Sequence, residues 1–347
     1  MAEATATTRR AALRLAGAGG GAALLAAAPA SVPTRAARAQ GSTAAAAWPG
    51  SRPIRLIVPF AAGGAADSTA RAVAPRLAER IAPGTTVVVE NRTGGSGSAG
   101  GAVVAQAPPD GHTLMWDASS HVVNPALLRG LAFDYATAFA PVSLAATFPQ
   151  VLAAKADLPA RSVAEFVALA RGRTGGLSVG TQGNATAGHM ALVALQRATG
   201  VELSHVPYRG GADAARDLAS GALDGVVITM LSAGPIVDGG RARFLAVGTR
   251  ERVALRPEVP TFAEAGVAGM EISEWVGLFG PAGLPPEIVA RLHAALAGAV
   301  AEEEVRARLD RLVAIPVASP PADFAGFLDE GRTRMAALVR EARITVD

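Results

Sequence analysis

The 347-residue chain contains no cysteine, which excludes disulfides, thiolate metal sites, a cysteine nucleophile and a lipid-modified amino terminus. An oxidising compartment is allowed but not required. Lys155 is the only lysine, and the accompanying arginine bias is assigned no function. The five histidines, His112, His121, His189, His205 and His293, show no paired metal-ligand spacing, so neither zinc nor any other metal is expected, and no cofactor. No G-x-S-x-G nucleophile elbow occurs, and the acidic run 302–304 reads as a solvated helical face. No catalytic residue is therefore assigned and the chain is not read as an enzyme. After the amino-terminal region no apolar run reaches the roughly 20 residues a bilayer span needs, so a mature protein without membrane insertion is expected.

At the amino end, Thr8-Arg9-Arg10 precedes a run over 15–28 of only alanine, glycine and leucine. This pattern reads as an export signal. The paired arginines favour the twin-arginine route, although Ala12 stands where phenylalanine is usual and general secretion stays open. Ala-x-Ala endings occur at Ala30 and Ala39, and the latter is taken as the cleavage site, leaving 40–52 as a flexible mature amino terminus. Loss of 1–39 removes five arginines and one glutamate and lowers the net charge from +3 to −1. The whole-chain pI of about 10.1 thus owes much to the leader. The basic footprint of a nucleic-acid binder is absent.

The length and an apolar content of 50% suit two lobes with well-buried cores. From Pro53 onward, short β-branched runs alternate with alanine-rich stretches of helical length, which predicts an α/β fold built from crossover units. Strands are expected over 54–60, 86–90, 113–117, 142–146, 150–154, 177–180, 204–207, 226–230 and 244–248. Helices are expected over 67–81, 162–171, 187–199, 212–219, 286–300 and 322–342. Pro75 should kink the first helix or delay its start. A second βαβ series begins near Gln150 and ends near Gly248, so the second lobe, 149–249, is expected to be inserted into the first, 53–148 plus 250–347. Glycine-rich turns fall at strand-to-helix junctions, the carboxyl edge where open α/β sheets take ligands.

Two such turns stand out. In FAAGGAADSTAR (60–71), Gly63 and Gly64 permit close backbone approach, and Asp67 or Ser68 can cap the following helix. Amides at such a helix start attract an anion: the dipole contributes roughly 0.3–1 kcal/mol and each charge-assisted hydrogen bond roughly 1.5–3. A few such bonds reach about −8 kcal/mol, a micromolar affinity. An ordinary glycine turn capped by Asp67 accounts for this segment equally well.

The second turn, SVGTQGNATAGHM (178–190), repeats the design in the other lobe, with Thr181, Gln182, Gly183, Asn184 and Thr186 before a helix. Neither turn contains lysine or arginine before its helix begins, and neutral donors suit a carboxylate that must later be released. His189 more often serves local backbone or packing than a ligand. Tyr208 in HVPYRGG fits a cleft lining and half-buried strand packing equally. GSGSAG (95–100) matches G-x-G-x-x-G after a strand, with Asp117 at the end of the next one, so a nucleotide-dependent α/β enzyme is the alternative. Its fit is poor: Glu90, Asn91 and Arg92 intervene, Glu90 would repel a pyrophosphate, and 108–111 ends the helix early.

Taken in order, WPGSRPIRLIVPFAAGGAADSTAR, VVVENRTGGSGSAGG, PPDGHTL, VPYRGGADAARDLASGALDG, RARFLAVGTRER and WVGLFGPAGLPPEIVARLHAAL resemble the Bug-type receptors of tripartite tricarboxylate transporters over nearly the whole mature chain. The resemblance implies a monomeric periplasmic Venus-flytrap protein that encloses a small carboxylate between two lobes and delivers it to membrane transporter subunits. It also leaves room for a ligand-sensing receptor partnered with a signalling protein. By the same resemblance Phe60, Ala61, Gly63, Gly64 and Asp67 line the ligand from the first loop, and Ser119 from a neighbouring strand end. Thr181, Gln182, Thr186 and His189 match the second loop, Tyr208 follows the family's Val-Pro pair, and Thr229 borders the cleft. Ala62 replaces a frequent proline, Ala185 a common glycine, and Thr229 a common acid; the last change favours a polyanion over an amine-bearing ligand.

Overall fold

The structure is a computed structural model and describes residues 48–184 and 186–341. The leader, residues 40–47 and Ala342 lie outside the described residues. Trp48 is buried; its carbonyl accepts from Arg291, whose guanidinium lies 4.9 Å over the indole.

The first strand, β1 (Ile54–Val58), buries Ile54, Leu56, Ile57 and Val58 across both faces, as a central parallel strand requires, with half-buried Arg55 paired to Glu90. It pairs in parallel with β2 (Val87–Asn91) and β3 (Thr113–Ala118). Between them run α1 (Ala65–Ile81) and α2 (Ser98–Ala105). Helix α1 continues unbroken through Pro75 and starts two residues before the expected position. Pro75 and Arg71 are both exposed, so the carbonyl that the proline leaves unpaired can take a bond from solvent. The glycines of 95–100 have a packing role: a Cβ on Gly100 would lie 2.7 Å from Pro59 Cβ and 2.9 Å from the Arg92 carbonyl, so α2 reaches the end of β1 only over a glycine.

After α3 (Ser120–Leu127) comes β4 (Phe139–Lys155), where two strands were expected. It is one strand of 17 residues because it passes from one sheet to the next and changes partners on the way. Its first part pairs antiparallel with β9 (Ser273–Pro281), from Phe139 opposite Pro281 to Pro149 opposite Ser273. From Gln150 onward it pairs antiparallel with β7 (Gly225–Thr229) and, from Val151, with β8 (Ala242–Val247). The short strand β10 (Ile315–Pro316) also pairs with its first part.

The second sheet adds β5 (Leu177–Thr181) and β6 (Leu203–Pro207), which are parallel to each other. Around it lie α4 (Val163–Arg171), α5 (Ala187–Thr199), α6 (Gly211–Ser220) and α7 (Met230–Asp238). The chain then returns through β8 and β9 to α8 (Pro286–Ala301), α9 (Glu303–Arg311) and α10 (Pro321–Glu341). The strand order β2-β1-β3-β9-β4-β7-β5-β6 thus describes two α/β lobes joined through β4, the second inserted into the first. The loops that open α1 and α5 sit at the carboxyl ends of β1 and β5.

Candidate functional site

The first loop is built around a buried carboxylate. Asp67, 3% exposed, accepts from the Gly63 amide at 2.9 Å, Arg71 Nε at 2.9 Å and Asn91 Nδ2 at 2.9 Å. Burial opposes its ionisation, but the bonds from Arg71, Gly63 and Asn91 outweigh that and hold its carboxyl below the ordinary value. Asn91 also donates to the Phe60 carbonyl at 3.0 Å, so the loop is tied down at both ends. The cap of α1 is Gly64 with extended backbone and no side-chain bond; Asp67 works from inside the first turn instead. Gly63 has φ +80°, a conformation that favours glycine, and Ala61, Ala62, Gly63 and Gly64 are all exposed. The Gly63 amide is spent on Asp67, and that of Gly64 donates to the Ala61 carbonyl at 3.3 Å. The donors for which the helix itself has no acceptor are therefore those of its first turn, Ala65, Ala66 and Asp67.

The second loop is ordered by hydroxyls. Thr186 caps α5, accepting from the His189 amide at 3.4 Å and donating to the Gly183 carbonyl at 2.9 Å. Thr181 is fully buried and its Oγ1 lies 2.8 Å from His205 Nε2. The His189 and His205 rings stack at 4.1 Å. Burial, and then the nearness of His205, push His189 down to about 4, and burial lowers His205 as well, so both are neutral near pH 7. The carboxamide of Gln182 is buried without a protein partner among the described residues.

The remaining expected residues are engaged inside their own lobes. Tyr208 Oη donates to Asp217 at 2.6 Å; burial, then that bond, raises the phenol to about 12. Thr229 caps α7, accepting from the Ser232 amide at 3.3 Å. Ser119 donates through both its amide (3.0 Å) and its hydroxyl (2.9 Å) to Glu274, which also accepts from the Trp275 amide. Burial raises the Glu274 pKa, partly offset by the bonds from Ser119 and Trp275.

A cavity of about 430 Å³ lies beside these groups, bounded by Ser119, Thr147 on the crossing strand, Ala187 at the start of α5, and Trp275. It also meets Arg250 and Arg334, two cations outside the loops that were not anticipated. Phe60 to Gly64 do not line it, and the first loop faces solvent. Asn91, Arg71, Glu274 and His205 were missed as site-building residues. Glu90 and Asn91 end β2 and Arg92 follows it; in the sequence these three stand out only as an obstacle to a dinucleotide, and nothing in sequence spacing links Glu274 to Ser119. Among the described residues no group of three or more His, Asp or Glu could hold a metal ion, and no helix is long and apolar enough to cross a membrane.

Two lobes joined by crossing strands, with helix-start loops at their carboxyl edges, define a solute-binding protein of the periplasmic-binding type. The model of the tripartite tricarboxylate transporter family receptor, TctC, matches residues 69–344, and the chain belongs to this family. A UPF0065 protein from a Pseudomonas species is 37% identical over 86% of this chain and 88% of its own length. BugT of Bordetella pertussis is 30% identical over 84% of this chain and 89% of its own. Among solved structures, an R. palustris protein with adipate superposes with a TM-score of 0.76 at 34% identity, covering 86% of this chain and 99% of that one. MatC from Rhodopseudomonas palustris with bound malate gives 0.71 at 32%, covering 83% and 99%.

Proposed function

We propose that the protein is a periplasmic receptor that captures a small organic carboxylate between its lobes and delivers it to the membrane subunits of a tripartite tricarboxylate-type transporter. The observation that carries this reading is the family match across nearly all the described chain, with relatives of similar length that hold adipate and malate. The geometry supports it. The amides of the α1 first turn and the start of α5 lie at the carboxyl edges of the two lobes, and each helix start favours an anion by roughly 0.3–1 kcal/mol. The partner change at Pro149 and Gln150 suggests the lobe boundary, with 53–148 plus 250–347 in lobe 1 and 149–249 in lobe 2.

On this reading the ligand lies among Phe60, Ala61, Gly63, Gly64, Ser119, Gln182 and Thr186. Asp67, Thr181, His189, Tyr208 and Thr229 hold the loops that receive it. The receptor acts as a monomer, without cofactor and without chemistry on its ligand, after export and loss of the leader. Thermal unfolding with a panel of mono-, di- and tricarboxylates, NAD and ATP tests it: carboxylates should raise the midpoint and nucleotides should not. Stabilisation by NAD or ATP alone would overturn it.

A further inference from the structure

The point at which β4 changes partners carries a side chain that its own lobe does not use. Gln150 is 1% exposed, and both its Oε1 and its Nε2 are buried with no hydrogen-bond partner among the described residues. Its backbone is committed, since the Gly248 amide on the return crossing donates to its carbonyl at 2.8 Å. A buried carboxamide with every bond unmet is costly, whereas an apolar residue of the same size is not.

Its direction follows from the alternation along β4. Phe148 belongs to the core cluster that includes Ala66, Ala70 and Val73 of α1. Leu152 belongs to the cluster that includes Ala187 and Met190 of α5. Residues two apart on a strand share a side, so Gln150 lies on the side of β4 that these two clusters share, at the point where the cluster that includes α1 gives way to the one that includes α5. Thr229, directly opposite Gln150, shares that side. Gln182 lies in the second loop: a Cβ on Gly188 would lie 2.5 Å from Gln182 Oε1, so this carboxamide rests against the first turn of α5, and it too is unmet.

We propose that Gln150 is a ligand-binding residue of the interlobe site, with Gln182 as its companion, and that together they select a hydroxyl-bearing carboxylate. The proposal rests on the carboxylate-receptor reading and adds a residue and a ligand chemistry to it. Each carboxamide offers two N–H donors and an oxygen with two lone pairs. A bare carboxylate satisfies only the donors; a hydroxyl beside a carboxylate also donates to Oε1. A site built to bond a hydroxyl discriminates against the analogue that lacks it, because its own polar groups are then left unpaired.

Calorimetric titration of succinate, malate, adipate and citrate into the wild-type, Q150L, Q150M and Q182L proteins tests this, together with thermal unfolding of each protein without ligand. Wild type should bind malate at least about tenfold more tightly than succinate. In Q150L malate affinity should fall at least about tenfold and the malate-to-succinate ratio approach one. Ligand-free Q150L should unfold at or above the wild-type midpoint, because an unmet amide has been removed. Q150M, unbranched and of equal length, carries the same expectation should leucine not fold.

A wild-type protein that binds one of these acids yet shows no preference for malate over succinate overturns the proposal. So does a folded Gln150 variant with wild-type affinity and ratio, in which case the amide's partner is a trapped water. If no acid binds wild type, the receptor reading falls and takes this proposal with it.

Discussion

Asp67 shows how one side chain can fix a loop without capping it. Its three accepted bonds join the glycine turn, helix α1 and strand β2. Asp67→Ala should lower stability by about 2–3 kcal/mol, because the Gly63 and Asn91 donors lose their acceptor; chemical denaturation measures this. Gly64→Val should act differently. Its backbone, φ −73°, suits any residue, and a new Cβ meets only the Ala61 carbonyl at 3.3 Å. The variant should keep its fold by circular dichroism and lose ligand binding, because the branched side chain blocks approach to the first-turn amides. Retained affinity would remove the first loop from the site.

His189 gives a pH dependence of defined sign. The unfolded chain titrates near 6.5 and the folded site near about 4, so the unfolded state binds more protons between these values and stability falls as pH drops from 6.5 to 4. The full effect is at most about 3 kcal/mol. Glu274 runs the other way: raised above 4.5, it contributes stability below 4.5 that is lost as pH climbs. Comparison of His189→Phe with wild type isolates the histidine, since the variant keeps a ring against His205. Its stability should vary less over that window; parallel curves for the two proteins would contradict the assignment.

At the scale of elements, helix α5 sits on β7 through a glycine. A Cβ on Gly188 would lie 2.4 Å from the Val227 carbonyl. Gly188→Ala should therefore push α5 outward, lower stability by about 1–3 kcal/mol and weaken binding through the displaced loop; unfolding midpoints and calorimetry on the same protein check both. The sequence pattern reveals α5 because an apolar face, a threonine cap and a terminal glycine agree on it. Helices α3 and α7 escape notice because Pro125 and Pro235 lie inside them, and local rules read proline as a break. Strand β4 is read as two strands because Phe148-Pro149 interrupts its apolar run. That proline, however, is confined to the point where the strand exchanges β9 for β7.

For the molecule as a whole, the alternation of strands and helices and the resumption of extended structure after 271 make the inserted second lobe legible. The site is legible only in part. Loop glycines and cap hydroxyls announce themselves through local spacing, whereas Asp67 with Asn91, Ser119 with Glu274, and the burial of the unpartnered Gln150 amide depend on residues distant in sequence. Polar groups buried at a lobe junction follow from no local periodicity.

The central claim is that one small carboxylate sits between the lobes. Calorimetric titration of the purified mature protein with the acid that co-purifies under native mass spectrometry tests it most directly. The account predicts one site per chain with micromolar or tighter affinity, lost in Gly64→Val. Binding that survives that substitution unchanged, or a co-purified ligand that is not an acid, would contradict it.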